Sequence, residues 1–164
     1  MEKPDIAFIP TPTDALDAML LWADPKPSDC LYDLGCGDGR FVVESARRFG
    51  NRAVGIDVDG NCLTLGRSRA QDAGVAHLTT FRQENLYGAD FSEATIVILY
   101  LLPHLNVKLR PRLWQQLQPG TRIISHQFDM GDWVPDQKQV LLNSEEESTL
   151  YQWIVQAHHK RPAP

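Results

Sequence analysis

Positive charge, cysteine and long apolar runs are all in short supply in this sequence. None of its 164 residues fall in an apolar run approaching the roughly 20 needed to span a bilayer. The opening Met1-Glu2-Lys3-Pro4-Asp5 also lacks the basic-then-apolar pattern of a secretory signal. Cys30, Cys36 and Cys62 are an odd number, and no pair has the CxxC spacing of a zinc or redox site. These absences predict no metal site and, by default, a reducing, cytoplasmic setting. Lys and Arg number 16 against 21 Asp and Glu, for a net charge of -5. A surface of that sign is not built to attract phosphate backbones, so nucleic acid is a disfavoured partner. The mild acidity itself is accounted for by an ordinary solvated surface.

What is present is a core. Hydrophobic residues make up 43% of a chain about one domain long. Apolar runs alternate with segments of helical period from about Cys30 to Ile124, the pattern of parallel strands covered by helices. Strands are expected at Cys30–Leu34, Ala53–Ile56, near His77 to Phe81, at Ala94–Leu101 and at Thr121–Ser125. The run Ala94-Thr95-Ile96-Val97-Ile98-Leu99-Tyr100-Leu101 is apolar without alternation, so it is read as a central strand buried on both faces. Helices follow from Phe41 to Phe49, ended by Gly50, and from Leu63 to Ala73, ended by Gly74. Leu105, Leu109, Leu113 and Leu117 repeat every four residues, with Pro111 expected to kink that helix or start a new one.

Two late runs, around Val140 to Leu142 and Leu150 to Ala157, have no helix between them and predict an antiparallel hairpin. The polar stretch Asn143 to Ser148 joins them as a solvated turn. Upstream, Thr11 is expected to cap a helix that begins with Pro12 and Asp14 and buries Leu16, Met19, Leu20 and Ala23. One domain is expected, with residues 1–28 as a helical cover, 29–158 as the core and 159–164 as a flexible tail. Trp22, Trp114, Trp133 and Trp153 suit a core or an interface equally, so the oligomeric state stays open.

The most informative stretch is Asp33-Leu34-Gly35-Cys36-Gly37-Asp38-Gly39-Arg40, a strand ending in three alternating glycines before a helix. Glycine admits positive φ and leaves no Cβ in the way, so a ligand can lie on Gly35, Cys36, Gly37 and Gly39 beside a helix N-terminus. A dinucleotide fingerprint needs G-x-G-x-x-G, but its third glycine position holds Arg40. Asp33 would repel a pyrophosphate yet suits a cationic amino-acid ammonium, as S-adenosylmethionine carries. Asp57 lies 22 residues past the first glycine, at the end of the second strand, where a carboxylate can accept from both ribose hydroxyls. After the third strand, Asn85 is chosen over Glu84 to take the adenine amine. Tyr100, at the end of the fourth strand, either borders the transferable methyl or is a core tyrosine.

These motifs resemble the class I, seven-strand S-adenosylmethionine-dependent methyltransferases. Phe8-Ile9-Pro10-Thr11-Pro12, the segment Leu99 to Pro103 and Ser125-His126-Gln127-Phe128-Asp129 look like small prokaryotic relatives of mitochondrial protein-lysine methyltransferases. The similarity covers roughly Phe8 to Trp133. It implies a Rossmann-like, doubly wound α/β sheet of order 3-2-1-4-5-7-6 with the final hairpin placing one antiparallel strand inside. It also implies that Pro10 and Thr11 cover the cofactor; Val58, next to Asp57, and Leu86, in the stretch where a backbone amide can reach the adenine ring, are further candidates for its site. Asn85 and Gly60 depart from the family's usual aspartate and proline.

The expected reaction is in-line methyl displacement, with no metal, onto a protein lysine amine or a small molecule. Tyr100, His126 and Asp129 are candidates to guide the acceptor's proton away. The Asp/Asn-Pro-Pro-aromatic motif of amino-methylating nucleic-acid enzymes is missing. A nicotinamide-dependent oxidoreductase and a non-catalytic S-adenosylmethionine-binding module remain as alternatives.

Overall fold

Apolar runs too long to alternate become strands with both faces covered. The computed structural model describes residues 11–142 and 147–160. Its helices are α1 (Thr13–Ala23), α2 (Arg40–Phe49), α3 (Gly60–Asp72) and α4 (Pro103–Gln116). Its strands are β1 (Cys30–Leu34), β2 (Arg52–Asp57), β3 (Thr79–Gln83), β4 (Ile96–Leu99), β5 (Arg122–His126), β6 (Gln137–Leu141) and β7 (Ser148–Ile154). They form one seven-stranded sheet in the order β3-β2-β1-β4-β5-β7-β6, as expected. Strands β1 to β5 run parallel, and β7 is antiparallel to both of its neighbours.

Successive side chains of a strand feed opposite cores. From β4, Ile96 and Ile98 enter the core that holds Leu16, Met19, Phe41 and Leu63 under α1, α2 and α3. Val97 and Leu99 enter the other, with Leu105, Leu109, Leu113 and Leu117 of α4 and its C-terminal end. Each of those leucines is at most 6% exposed and contributes about 2 kcal/mol by leaving water. This two-sided packing aligns the carboxyl ends of β1, β2, β4 and β5 at one rim of the sheet.

Several local expectations give way to specific competing bonds. The helix α4 runs through Pro111, because that residue is exposed and water can satisfy the carbonyl its missing amide leaves free. Strand β4 is shorter than its apolar run: Ala94 N donates to Phe91 O in a turn, and the chain turns toward α4 after Leu99. A 3₁₀ turn at Ala76–Leu78 pushes β3 on to Thr79–Gln83.

Strand β6 begins earlier than expected, at polar Gln137-Lys138-Gln139, which an exposed edge strand accommodates. Ser148, expected in a solvated turn, is instead the buried first residue of β7. Residues 143–146 of that turn lie outside the described residues. Thr11 does not cap α1, whose N-cap is Pro12 with no side-chain cap bond. Its hydroxyl goes to His126 instead. His159, expected to begin a flexible tail, stacks on Trp114 with ring centroids 5.3 Å apart and meets Trp133 edge-on.

Candidate cofactor and acceptor site

The turn between β1 and α2 takes positive φ at Gly35, Gly37 and Gly39 (86°, 53° and 79°). Its amides are spent inward. Gly35 N and Cys36 N both donate to Ile56 O, at 2.8 and 3.0 Å, and Gly39 N donates to Cys36 O at 3.0 Å. Gly37 N donates to Asp57 Oδ2 at 2.8 Å. A phosphate cradle needs those N–H groups turned outward, so this turn is ill suited to a pyrophosphate.

The three glycines differ in what they meet. Gly35 is exposed, and a Cβ there would lie 3.4 Å from Leu101 and 3.9 Å from Leu86, so those leucines flank its open face. At Gly39 a Cβ would lie 2.6 Å from the Phe81 ring and 3.1 Å from Gly66 Cα. That glycine lets β3 and α3 close on the start of α2. The Cys36 thiol likewise turns into the core against Gly55, and burial pushes it well above its ordinary pKa. Any contact that Gly39 or Cys36 makes with a cofactor is therefore through the main chain.

Beneath the turn, Asp33 is 5% exposed. Burial, then the neighbouring Asp57 and Asp38, holds its carboxyl well above the usual range. Burial also pushes Asp38 upward, but hydrogen bonds and charge from Arg40, with Arg69 nearby, bring it below its ordinary value. Asp33 and Asp57 thus meet a like charge where a cation would relieve both. Asp57, half-buried, accepts from Gly37 N and, at 2.9 Å, from Asp59 N, leaving one lone pair on each oxygen for further donors. An ammonium beside Asp33 and ribose hydroxyls at Asp57 fit these acceptors, and a dinucleotide phosphate does not.

Around the end of β3, Gln83 Nε2 donates to Val58 O at 3.2 Å. Asn85 is exposed, and its Oδ1 accepts from Tyr87 N at 3.0 Å, while Glu84 pairs with Arg82. Asn85 thus retains one lone pair for an exocyclic amine. Asp33, Gly35, Gly37, Asp57, Val58, Asn85 and Leu86 lie at the ends of β1, β2 and β3 or in the turns beyond them, and Thr11, before α1, meets His126 at the end of β5. Pro10 lies outside the described residues.

Tyr100, after β4, and the turn after β5 come together at the same rim of the sheet. The Tyr100 ring lies 4.3 Å from His126 and stacks 6.0 Å from Phe128, centroid to centroid. Asp129 is exposed and its Oδ1 accepts from Gly131 N at 3.1 Å. Phe128 O accepts from Ser125 Oγ at 2.6 Å, and Asn106 Nδ2 donates to Asp129 O at 2.9 Å. Phe128 belongs to a segment the resemblance rests on, whereas the sequence marks neither Asn106 nor Ser148 as a site residue. A polar residue on the buried leucine face of α4 was the signal for Asn106. Among the described residues, no group of three His, Cys, Asp or Glu side chains is placed to hold a metal, and no helix is long and apolar enough to cross a membrane.

The ANTKMT methyltransferase domain model matches residues 33–137. A protein-lysine N-methyltransferase of Saccharolobus islandicus is 32% identical over 94% of this chain and 97% of its own length. The adenine nucleotide translocase lysine N-methyltransferase of Mus musculus is 29% identical over 64% of this chain, and the match spans 46% of that protein. A Salinibacter ruber RNA methyltransferase, crystallised with S-adenosyl-L-homocysteine, superposes with a TM-score of 0.87 at 48% identity, over 95% of this chain and 97% of that one. The chain belongs to the ANTKMT methyltransferase domain family and is an S-adenosylmethionine-dependent methyltransferase.

Proposed function

We propose that this enzyme methylates a lysine amine of a protein. The observation that carries this reading is the near end-to-end correspondence with the S. islandicus protein-lysine N-methyltransferase. In it, Asp33 receives the cofactor's ammonium, Asp57 the ribose hydroxyls, and Asn85 the adenine amine. Gly35 and Gly37 lie under the amino-acid portion, with Val58 and Leu86 beside the nucleoside. Thr11 and Pro10 cover it, and Cys36 and Gly39 contribute main chain only. Bound S-adenosylmethionine supplies a methyl group made electrophilic by its sulfonium.

The protein's task is alignment and exclusion of water. Tyr100 and Phe128 wall the acceptor crevice, where an apolar lysine stem loses water and a neutral amine is favoured over ammonium. Asp129 at the mouth receives the released proton. No nucleic-acid acceptor is part of this reading, which the net charge of -5 supports. A reducing, cytoplasmic setting belongs to it too, supported by the free buried thiols of Cys30, Cys36 and Cys62.

The name of the S. ruber relative favours a second reading, with RNA as acceptor. Tritiated S-adenosylmethionine and total cell lysate separate the two. The lysine reading predicts label that protease releases and acid hydrolysis returns as methyl-lysine. Label released by nuclease instead overturns it.

A further inference from the structure

A buried imidazole sits where three segments meet. His126 ends β5, with its Nδ1 3.4 Å from Thr11 Oγ1 and its Nε2 3.0 Å from Ser148 Oγ. All three side chains are buried, at 3%, 5% and 2% exposure. A neutral imidazole has one N–H and one lone pair, and each hydroxyl can rotate to donate or accept, so both nitrogens are satisfied at once. Thr11 precedes α1 and Ser148 begins β7, so one ring ties both to the end of β5. The next residue, Gln127, takes the left-handed φ of 72°, which a non-glycine residue adopts only where its surroundings hold it. Here Gln127 N donates to Thr149 O at 2.6 Å, and Gln127 Oε1 accepts from Thr149 N at 3.2 Å. The ring also packs against Tyr100, tilted by 49°.

We infer that His126 is a positioning residue: it locks Tyr100 and the turn carrying Phe128 and Asp129 at the acceptor side, and takes no proton from the acceptor. This inference rests on the acceptor crevice proposed above. Taking the acceptor's proton would require the ring to release a buried hydroxyl. Burial also holds the imidazole neutral, down to about 4, with Asp14 opposing that shift.

The test uses Thr11→Val, Ser148→Ala and His126→Asn. Three quantities are read: hydrogen exchange at the starts of α1 and β7, S-adenosylmethionine affinity, and the rate of tritium transfer to lysate protein between pH 6 and 9. Each hydroxyl variant is expected to lower the transfer rate at limiting acceptor by about fivefold, the worth of one ordinary hydrogen bond. In Thr11→Val/His126→Asn the Thr11 change should add nothing further, because its partner is already gone. Exchange should rise at both anchored segments, with the shape of the pH profile retained.

Two results would overturn the inference. One is loss of a pH limb in His126→Asn with wild-type rates in both hydroxyl variants, which marks a base. The other is faster exchange with unchanged transfer in all three, which marks a purely structural contact. Failure of the acceptor reading is separately visible, as wild-type enzyme that puts no label on protein.

Discussion

Replacing Asp33 by asparagine should make the ligand-free protein more stable and the cofactor site worse. The Asp33 carboxyl is 5% exposed and faces Asp57 and Asp38. Asparagine keeps its shape and removes the ionisable group that burial disfavours. Relief of one poorly compensated buried group is worth about 2 kcal/mol, or roughly 4–8 °C in melting temperature for a domain of this size. The sign with pH follows from the raised pKa. The folded state keeps this proton above 3.8, where the unfolded chain releases it, so Asp33 costs stability as pH rises through that interval. The advantage of Asp33→Asn in thermal melting should therefore grow from about pH 4 toward neutrality. S-adenosylmethionine should bind about 10- to 150-fold more weakly, since one charge-assisted bond to its ammonium is worth ~1.5–3 kcal/mol. A variant that melts below the parent without ligand, or binds the cofactor equally well by calorimetry, would refute the reasoning.

The glycines of the turn should separate by function. Gly39→Ala sets a Cβ 2.6 Å from the Phe81 ring at a φ of 79°, so overpacking and backbone strain together should cost about 3 kcal/mol in denaturant titration. Gly35→Ala meets ordinary contacts and bears only the backbone strain, so its larger effect should appear in cofactor affinity. Equal unfolding midpoints for the two would contradict this division. At acid pH, His126 should act against the fold. Its pKa is lowered to about 4 from 6.5, so the stability it contributes above pH 6.5 is lost as pH falls toward 4. His126→Phe should therefore show a shallower decline in melting temperature over that interval than the parent, and an unchanged slope would count against a buried neutral ring.

Local, contiguous features were the legible ones. Asp33 to Arg40 carries strand, turn and helix start in eight successive residues, and Asp57 follows at a fixed distance on the adjacent strand. The leucine stripe of α4 showed its buried face for the same reason. Bonds between distant segments were hidden. Thr11 and His126 are 115 residues apart, so nothing near Thr11 distinguished a clasp on β5 from a helix cap. Strand β6 is polar because it is an exposed edge, so its first residues carried no apolar signal. The packing role of Gly39 depended on Phe81, which comes from another strand and could not be paired with it from spacing alone.

The most direct measurement is a calorimetric titration of S-adenosylmethionine into the parent and into Asp57→Ala, each checked for an intact melting transition. Two hydroxyl bonds to one carboxylate predict one-to-one binding by the parent and a loss of about 100-fold or more in the variant. Equal affinity in the two proteins would mean that the cofactor's ribose is not held at the end of β2, and would contradict the site described for this fold.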